Sequence, residues 1–251
     1  MKNPAAGGGR WVDVPPERLV PWIVTFTRRH GGAGPVSRDE RGTAVTFTAA
    51  DQATAECHPP FPPLPPFPDG PDPAAPDGPD PAAAAGLIAA HAAADRTVGV
   101  LLVRLGGYAV GVFAGSPPRL VRSKTGSRLV HGRSAAGGRS QHRFARRREN
   151  QAAAALRAAA DTAAEVFGHF GPDGLDAVVL GGDKRSMAGL RGDPRLTPYL
   201  DRAADRFLVV PDPRLAVLKD TPRAFLAIRI RLTEPEPTQQ EADSQVRTEP
   251  V

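Results

Sequence analysis

The sequence predicts an α/β domain with a mixed central sheet, preceded by a small α+β unit, and three observations carry that reading. The apolar runs 98–105 and 108–114 flank Gly106-Gly107, so they form a hairpin, and 119–130 adds a third strand with polar interruptions. Residues 143–169 place Phe144, Ala152, Leu156, Ala159, Ala163, Val166 and Phe167 at helical spacing, as one long amphipathic helix requires. Beyond it, a buried strand at 176–180 ends on Gly181-Gly182, and helical sequence over 186–205 breaks at Pro194. Strands follow at 206–210 and 224–230. Three leading antiparallel strands followed by helix-strand-helix-strand make a mixed sheet the expected frame.

The elements upstream are shorter. Pro15-Pro16-Glu17-Arg18 opens a helix through Leu19, Val20, Trp22, Ile23 and Phe26 that ends near His30-Gly31-Gly32. Residues 44–48 alternate and are β-branched, as a strand should be. From Pro59 to Pro81 prolines recur every two or three residues, and Pro-Asp-Gly-Pro-Asp-Pro-Ala-Ala occurs at 68–75 and again at 76–83. Such chain forms neither ladder nor helix and is expected to be extended and solvated. An Ala-rich helix over 82–94 leads into the main domain, and the acidic, Pro- and Gln-rich tail after Thr233 has the composition of disorder. The expected organisation is a small unit at 1–57, a disordered linker at 58–83, a catalytic domain at 84–232 and a disordered tail at 233–251.

Composition narrows the function. Hydrophobic residues make up 41% of the 251, enough for a core, and only 6% are aromatic, so that core is aliphatic. Cys57 is the only cysteine, which excludes an internal disulfide and a cysteine-based zinc site and fits a reducing cytoplasm. No stretch approaches the ~18 apolar residues that cross a bilayer, so no membrane role is expected. Lysine and arginine number 32 against 27 acidic residues, a net charge of +5, with only Lys2, Lys124, Lys184 and Lys219 as lysines. With so much Ala, Gly and Pro, the arginine excess follows GC-rich coding, and single surface arginines carry little meaning.

The distribution of charge carries more. Between Arg96 and Arg148 there is no Asp or Glu, while Arg119, Arg122, Lys124, Arg128, Arg133, Arg139, Arg143, Arg146, Arg147 and Arg148 fall in its second half. Coding bias exchanges lysine for arginine but does not delete acids. A self-repelling cationic surface is best explained by a polyanionic partner. Arg143, Arg146 and Arg147 share one helical face, at a helix start where the macrodipole disfavours cations. Between strand and helix lies a glycine-rich loop, with Gly132, Gly137 and Gly138 among small residues, whose backbone can approach a ligand closely. Spacing alone does not distinguish it from an ordinary connection.

The run Gly132-Arg-Ser-Ala-Ala-Gly-Gly-Arg-Ser-Gln-His-Arg-Phe-Ala-Arg-Arg-Arg-Glu-Asn-Gln151 resembles the signature of the actinobacterial Vms-like release factors, a family of peptidyl-tRNA hydrolases. The resemblance extends more loosely over 84–232. It implies a fold similar to the middle domain of eukaryotic class-one release factors, which is RNase H-like. It also implies hydrolysis of peptidyl-tRNA on the large ribosomal subunit, in rescue of stalled nascent chains by a cytoplasmic monomer without cofactor or metal. By the same resemblance Gln141 takes the role of the loop glutamine, with Gly137, Gly138 and Ser140 completing the catalytic loop. Arg133, Arg139, Arg143, Arg146, Arg147 and Arg148 would hold rRNA and tRNA phosphates. The sequence departs from the plain Gly-Gly-Gln tripeptide, because Arg139 and Ser140 separate the glycines from Gln141. Two alternatives stay open: a metal-independent nuclease cutting the tRNA 3′ end, and a non-catalytic ribosome- or RNA-binding factor.

Other signals are weaker. Gly181-Gly182-Asp183-Lys184-Arg185-Ser186 follows a strand as a phosphate loop would, but it lacks the Walker spacing and reads as a strand-end turn. The six histidines show no zinc-ligand spacing, and only His142, beside Gln141, invites a test. No converging carboxylates suggest a metal nuclease.

Overall fold

The computed structural model describes residues 3–4, 8–67, 79–104, 106–127 and 140–235, with 140–149 described by backbone alone. The chain divides into two compact units, Met1–Ala92 with Ala227–Val251, and Ala93–Leu226. The first opens with β1 (Asn3–Pro4), β2 (Arg10–Val14), α1 (Pro16–Arg29), β3 (Ala33–Arg38), β4 (Val45–Ala49), β5 (Thr54–His58) and α2 (Pro81–Ala92). The second holds β6 (Val98–Arg104), β7 (Gly107–Ala114), β8 (Arg119–Ser127), α3 (Ser140–Gly168), β9 (Ala177–Gly182), α4 (Lys184–Leu190), α5 (Thr197–Leu200), β10 (Ala203–Leu208) and α6 (Leu215–Phe225). A last strand, β11 (Ile228–Thr233), returns to the first unit.

The first unit is a six-stranded antiparallel sheet in the order β1-β2-β11-β5-β4-β3. Its core joins Leu19, Ile23 and Phe26 of α1 and Ala84, Ala85 and Ile88 of α2 to the inward strand residues Val45, Phe47, Cys57, Ile228 and Ile230. The opposite face is polar, with Arg229 stacked over Trp11 and Arg231 paired with Glu56, as expected of an antiparallel sheet open on one side.

Two expectations need correction here. The strand near 224–230 does not belong to the central sheet. It pairs with β2 on one side and β5 on the other, some two hundred residues away in sequence, and its Ile228, Ile230 and Leu232 are buried in the first unit's core. The helix α2 belongs there too, so the main domain does not run from 84 to 232. The linker is also shorter than composition implied. Leu64 is buried in the same core, its amide donates to Gly42 O at 2.8 Å, and Arg38 donates to its carbonyl at 2.6 and 3.2 Å. His91 Nε2 bonds Phe61 O at 3.0 Å. A proline-rich chain docks when an apolar side chain and a guanidinium meet its unpaired carbonyls. Residues 68–78, which hold most of the repeat, and 236–251 lie outside the described residues.

The second unit has the mixed sheet that the sequence predicted, ordered β10-β9-β6-β7-β8. The pairs β6/β7 and β7/β8 are antiparallel, and β9 and β10 add in parallel. One face carries α3, whose Ala159, Ala160, Ala163, Val166 and Phe167 cover Leu101, Val103, Val110, Val112, Val178 and Leu180. The alanines bring the helix close to the strands. Gly99 completes the fit, because a Cβ there would lie only 3.1 Å from Phe167 and Leu175. The other face carries α6, unforeseen in the sequence. Its buried Leu218, Thr221 and Phe225 have helical spacing, but Pro213 and Pro222 obscured the signal.

Gly182 ends β9 at φ +105°, and a Cβ there would overlap the Val103 carbonyl. Gly182→Ala combines left-handed strain with a backbone clash and is expected to lower stability by about 2–4 kcal/mol in denaturant titration.

Candidate active site

The loop singled out by sequence leaves β8, the edge strand of the second sheet, and enters α3. Its residues 128–139, with Arg133, Gly137, Gly138 and Arg139, lie outside the described residues. Ser140 and Gln141 do not: their backbone forms the first turn of α3. The glutamine expected on a loop thus stands on a helix start, where the first N–H groups have no intrahelical acceptor. Arg143, Arg146, Arg147 and Arg148 follow in the next turns of the same helix, and no acid occupies its first turn.

From Asn150 onward side chains are described, and the first buried one is Ala155. Helical rise makes the stretch of α3 from 140 to 151 roughly 18 Å long. Between the helix and the sheet a cleft of about 40 Å³ is lined by Arg104, Tyr108, Ala152, Ala155, Leu156 and Ser186, among others.

The strand entering the loop is cationic and exposed. Arg119 and Lys124 face solvent, and Arg122 is half-buried. Lys124 Nζ meets Glu165 Oε2 of α3 at 2.7 Å, and that hydrogen bond, with the ammonium charge, holds the Glu165 carboxyl below the usual range. Nearer the loop, Tyr108 of β7 lies across Gly126 of β8, and Thr162 Oγ1 of α3 donates to the Tyr108 hydroxyl at 3.2 Å.

The Gly181–Ser186 turn is no phosphate loop. The Asp183 carboxylate accepts from the Arg185 and Ser186 amides, both at 3.2 Å, and from Ser186 Oγ at 2.7 Å. The donors a phosphate would use are filled by the helix's own cap. The Ser186 hydroxyl is the main reason the Asp183 carboxyl lies below its ordinary range. A depressed carboxylate contributes stability that is present above its unfolded pKa and is lost as pH falls through the folded one. Asp183→Ala should therefore cost about 1 kcal/mol at neutral pH, and its melting curve should converge with the parent's below about pH 4. Lys184 and Arg185 remain exposed.

Other chemistry is sparse. Cys57 is fully buried, and burial raises its thiol pKa far above the usual range, which removes it as a nucleophile. Among the described residues no group of three or more His, Cys, Asp and Glu could hold a metal ion. Among them, too, no helix is long and apolar enough to cross a membrane.

No curated protein matches the sequence. Among solved structures, an archaeal translation termination factor, aRF1, aligns at 11% identity over 94% of this chain and 68% of its own, with a TM-score of 0.39. The profile of the Actinobacteria/chloroflexi VLRF1 release factor matches residues 96–231, from two residues before β6 into β11, and so spans the basic strand, the glycine-rich segment and α3. That match covers more than half of the 251 residues. The chain belongs to this release-factor family, and its work lies in translation.

Proposed function

We propose that the protein frees nascent peptides by hydrolysing the ester of peptidyl-tRNA on stalled large ribosomal subunits. The observation that carries this reading is the place of Gln141, in the first turn of a 29-residue helix whose next turns carry Arg143, Arg146, Arg147 and Arg148. Water adds at the ester carbonyl: the peptide carbon takes the hydroxyl, and the terminal ribose oxygen of the tRNA leaves with the proton. The Gln141 amide can hold that water by donating or accepting, without acting as a strong base. The first-turn amides of α3, which have no intrahelical acceptor, suit the developing oxyanion. An aminoacyl ester is already activated, so positioning supplies much of the acceleration. Gly137 and Gly138 allow the backbone to approach closely, and Ser140 completes the segment. Arg133, Arg139, Arg143, Arg146, Arg147 and Arg148 bind rRNA and tRNA phosphates. The partners are the large subunit and its peptidyl-tRNA, met in the cytoplasm by a monomer that needs no cofactor or metal.

The test is product analysis after incubating the protein with stalled large-subunit–peptidyl-tRNA complexes. Free peptide with a tRNA that keeps its terminal adenosine is the expected result. A shortened tRNA would instead identify a 3′-end nuclease, and binding without any product a non-catalytic factor.

A further inference from the structure

We infer that Tyr108 is a positioning residue for peptide release, acting through α3 on the helix start at Ser140 and Gln141. The inference rests on the reading of Gln141 proposed above.

Tyr108 is the second residue of β7 and pairs with Gly126 in β8. Its ring lies over Gly126 so closely that any Cβ at position 126 would overlap the ring and hydroxyl. The same hydroxyl accepts from Thr162 Oγ1 at 3.2 Å, and Thr162 is among the few buried polar residues described. One turn further along α3, Glu165 takes Lys124 at 2.7 Å. Lys124 and Gly126 share a face of β8, and Thr162 and Glu165 share a face of α3. The strand that enters the loop and the helix that leaves it are thus cross-braced at two adjacent points.

Toward the helix start a cleft of about 40 Å³ is lined by Ala152, Ala155 and Leu156 of α3 and by Arg104 and Tyr108. The two contacts bear on the angle at which α3 runs across the sheet. From Thr162 to Gln141 the helix rises roughly 32 Å, so a tilt of about 3° at the brace moves the helix start by about 1.7 Å. Displacements of that size are enough to degrade a reaction that depends on positioning. Thr162 also keeps a carbonyl of its own helix as an alternative acceptor, so losing the phenol need not leave a buried hydroxyl unpaired.

The experiment compares Tyr108→Phe, Thr162→Val and the double variant with the parent, as full-length protein on stalled large-subunit–peptidyl-tRNA complexes. The readouts are the maximal single-turnover release rate, the half-saturating protein concentration and the melting temperature. Each single variant is expected to lower the maximal rate by roughly three- to tenfold, with half-saturation and melting unchanged. The double variant should match the singles, because both remove one bond. Unchanged rates, or a fall in rate matched by weaker binding or earlier melting, would overturn the inference. Gln141→Ala is run alongside: full release by that variant sinks the underlying reading, whereas its silence with a fully active Tyr108→Phe sinks the positioning role alone.

Discussion

Gln141→Ala is expected to slow peptide release by roughly 10²–10³-fold, the range seen when one preorganised hydrogen-bonding group is removed from a site where charge develops. Affinity for the large subunit should barely change, because the amide is not among the cations that meet phosphate. Gln141→Asn sharpens the result. It keeps the amide but retracts it by one methylene, so an intermediate rate is expected if position matters and a near-parental rate if only the amide's chemistry does. A Gln141→Ala protein that releases peptide at the parental rate would remove Gln141 from the reaction and shift attention to its neighbours Ser140 and His142. The helical backbone at 140–141 makes the experiment cleaner, because alanine is the best helix former and should not unravel the first turn.

The second large effect concerns binding. Arg146→Glu/Arg147→Glu places two acids where two cations stood, nearly two turns into α3. Affinity for the large subunit should fall by about a hundredfold at moderate salt, and the slope of log affinity against log salt should flatten by about 2. Release at saturating protein should survive far better than affinity does. The melting temperature should change little, because glutamate is nearly as good a helix former as arginine. Unaltered affinity with an unaltered salt slope would show that these arginines do not face RNA.

Much of the second unit was legible because its signals are local. The apolar runs of β6 and β7 around Gly106-Gly107, and the buried stripe from Ala155 to Phe167, are periodicities within a few residues. The candidate site was legible for another reason: an acid-free, arginine-rich segment with clustered glycines is a compositional oddity that survives without any structure. Sequence reading was less successful with backbone state. Gln141 read as a loop residue because Gly137, Gly138 and Ser140 precede it, yet the helix already includes it. It also missed Tyr108 and Thr162 as functional candidates, since neither differs from an ordinary strand or helix residue until Gly126 and the hydroxyl pair are seen in space.

The sequence by itself therefore determined the mixed sheet, the long helix, the basic segment and the family to which it points, because each is written in neighbouring residues. Only the tertiary structure decided that β11 leaves the central sheet to lie between β2 and β5, and that α2 and Leu64 join the first unit. It alone also joined Tyr108 to Thr162. A strand's periodicity says which face is apolar but not whose core will receive it. That choice is made by hydrogen-bond ladders and burial between residues far apart in the chain, and such pairings leave no mark on local composition.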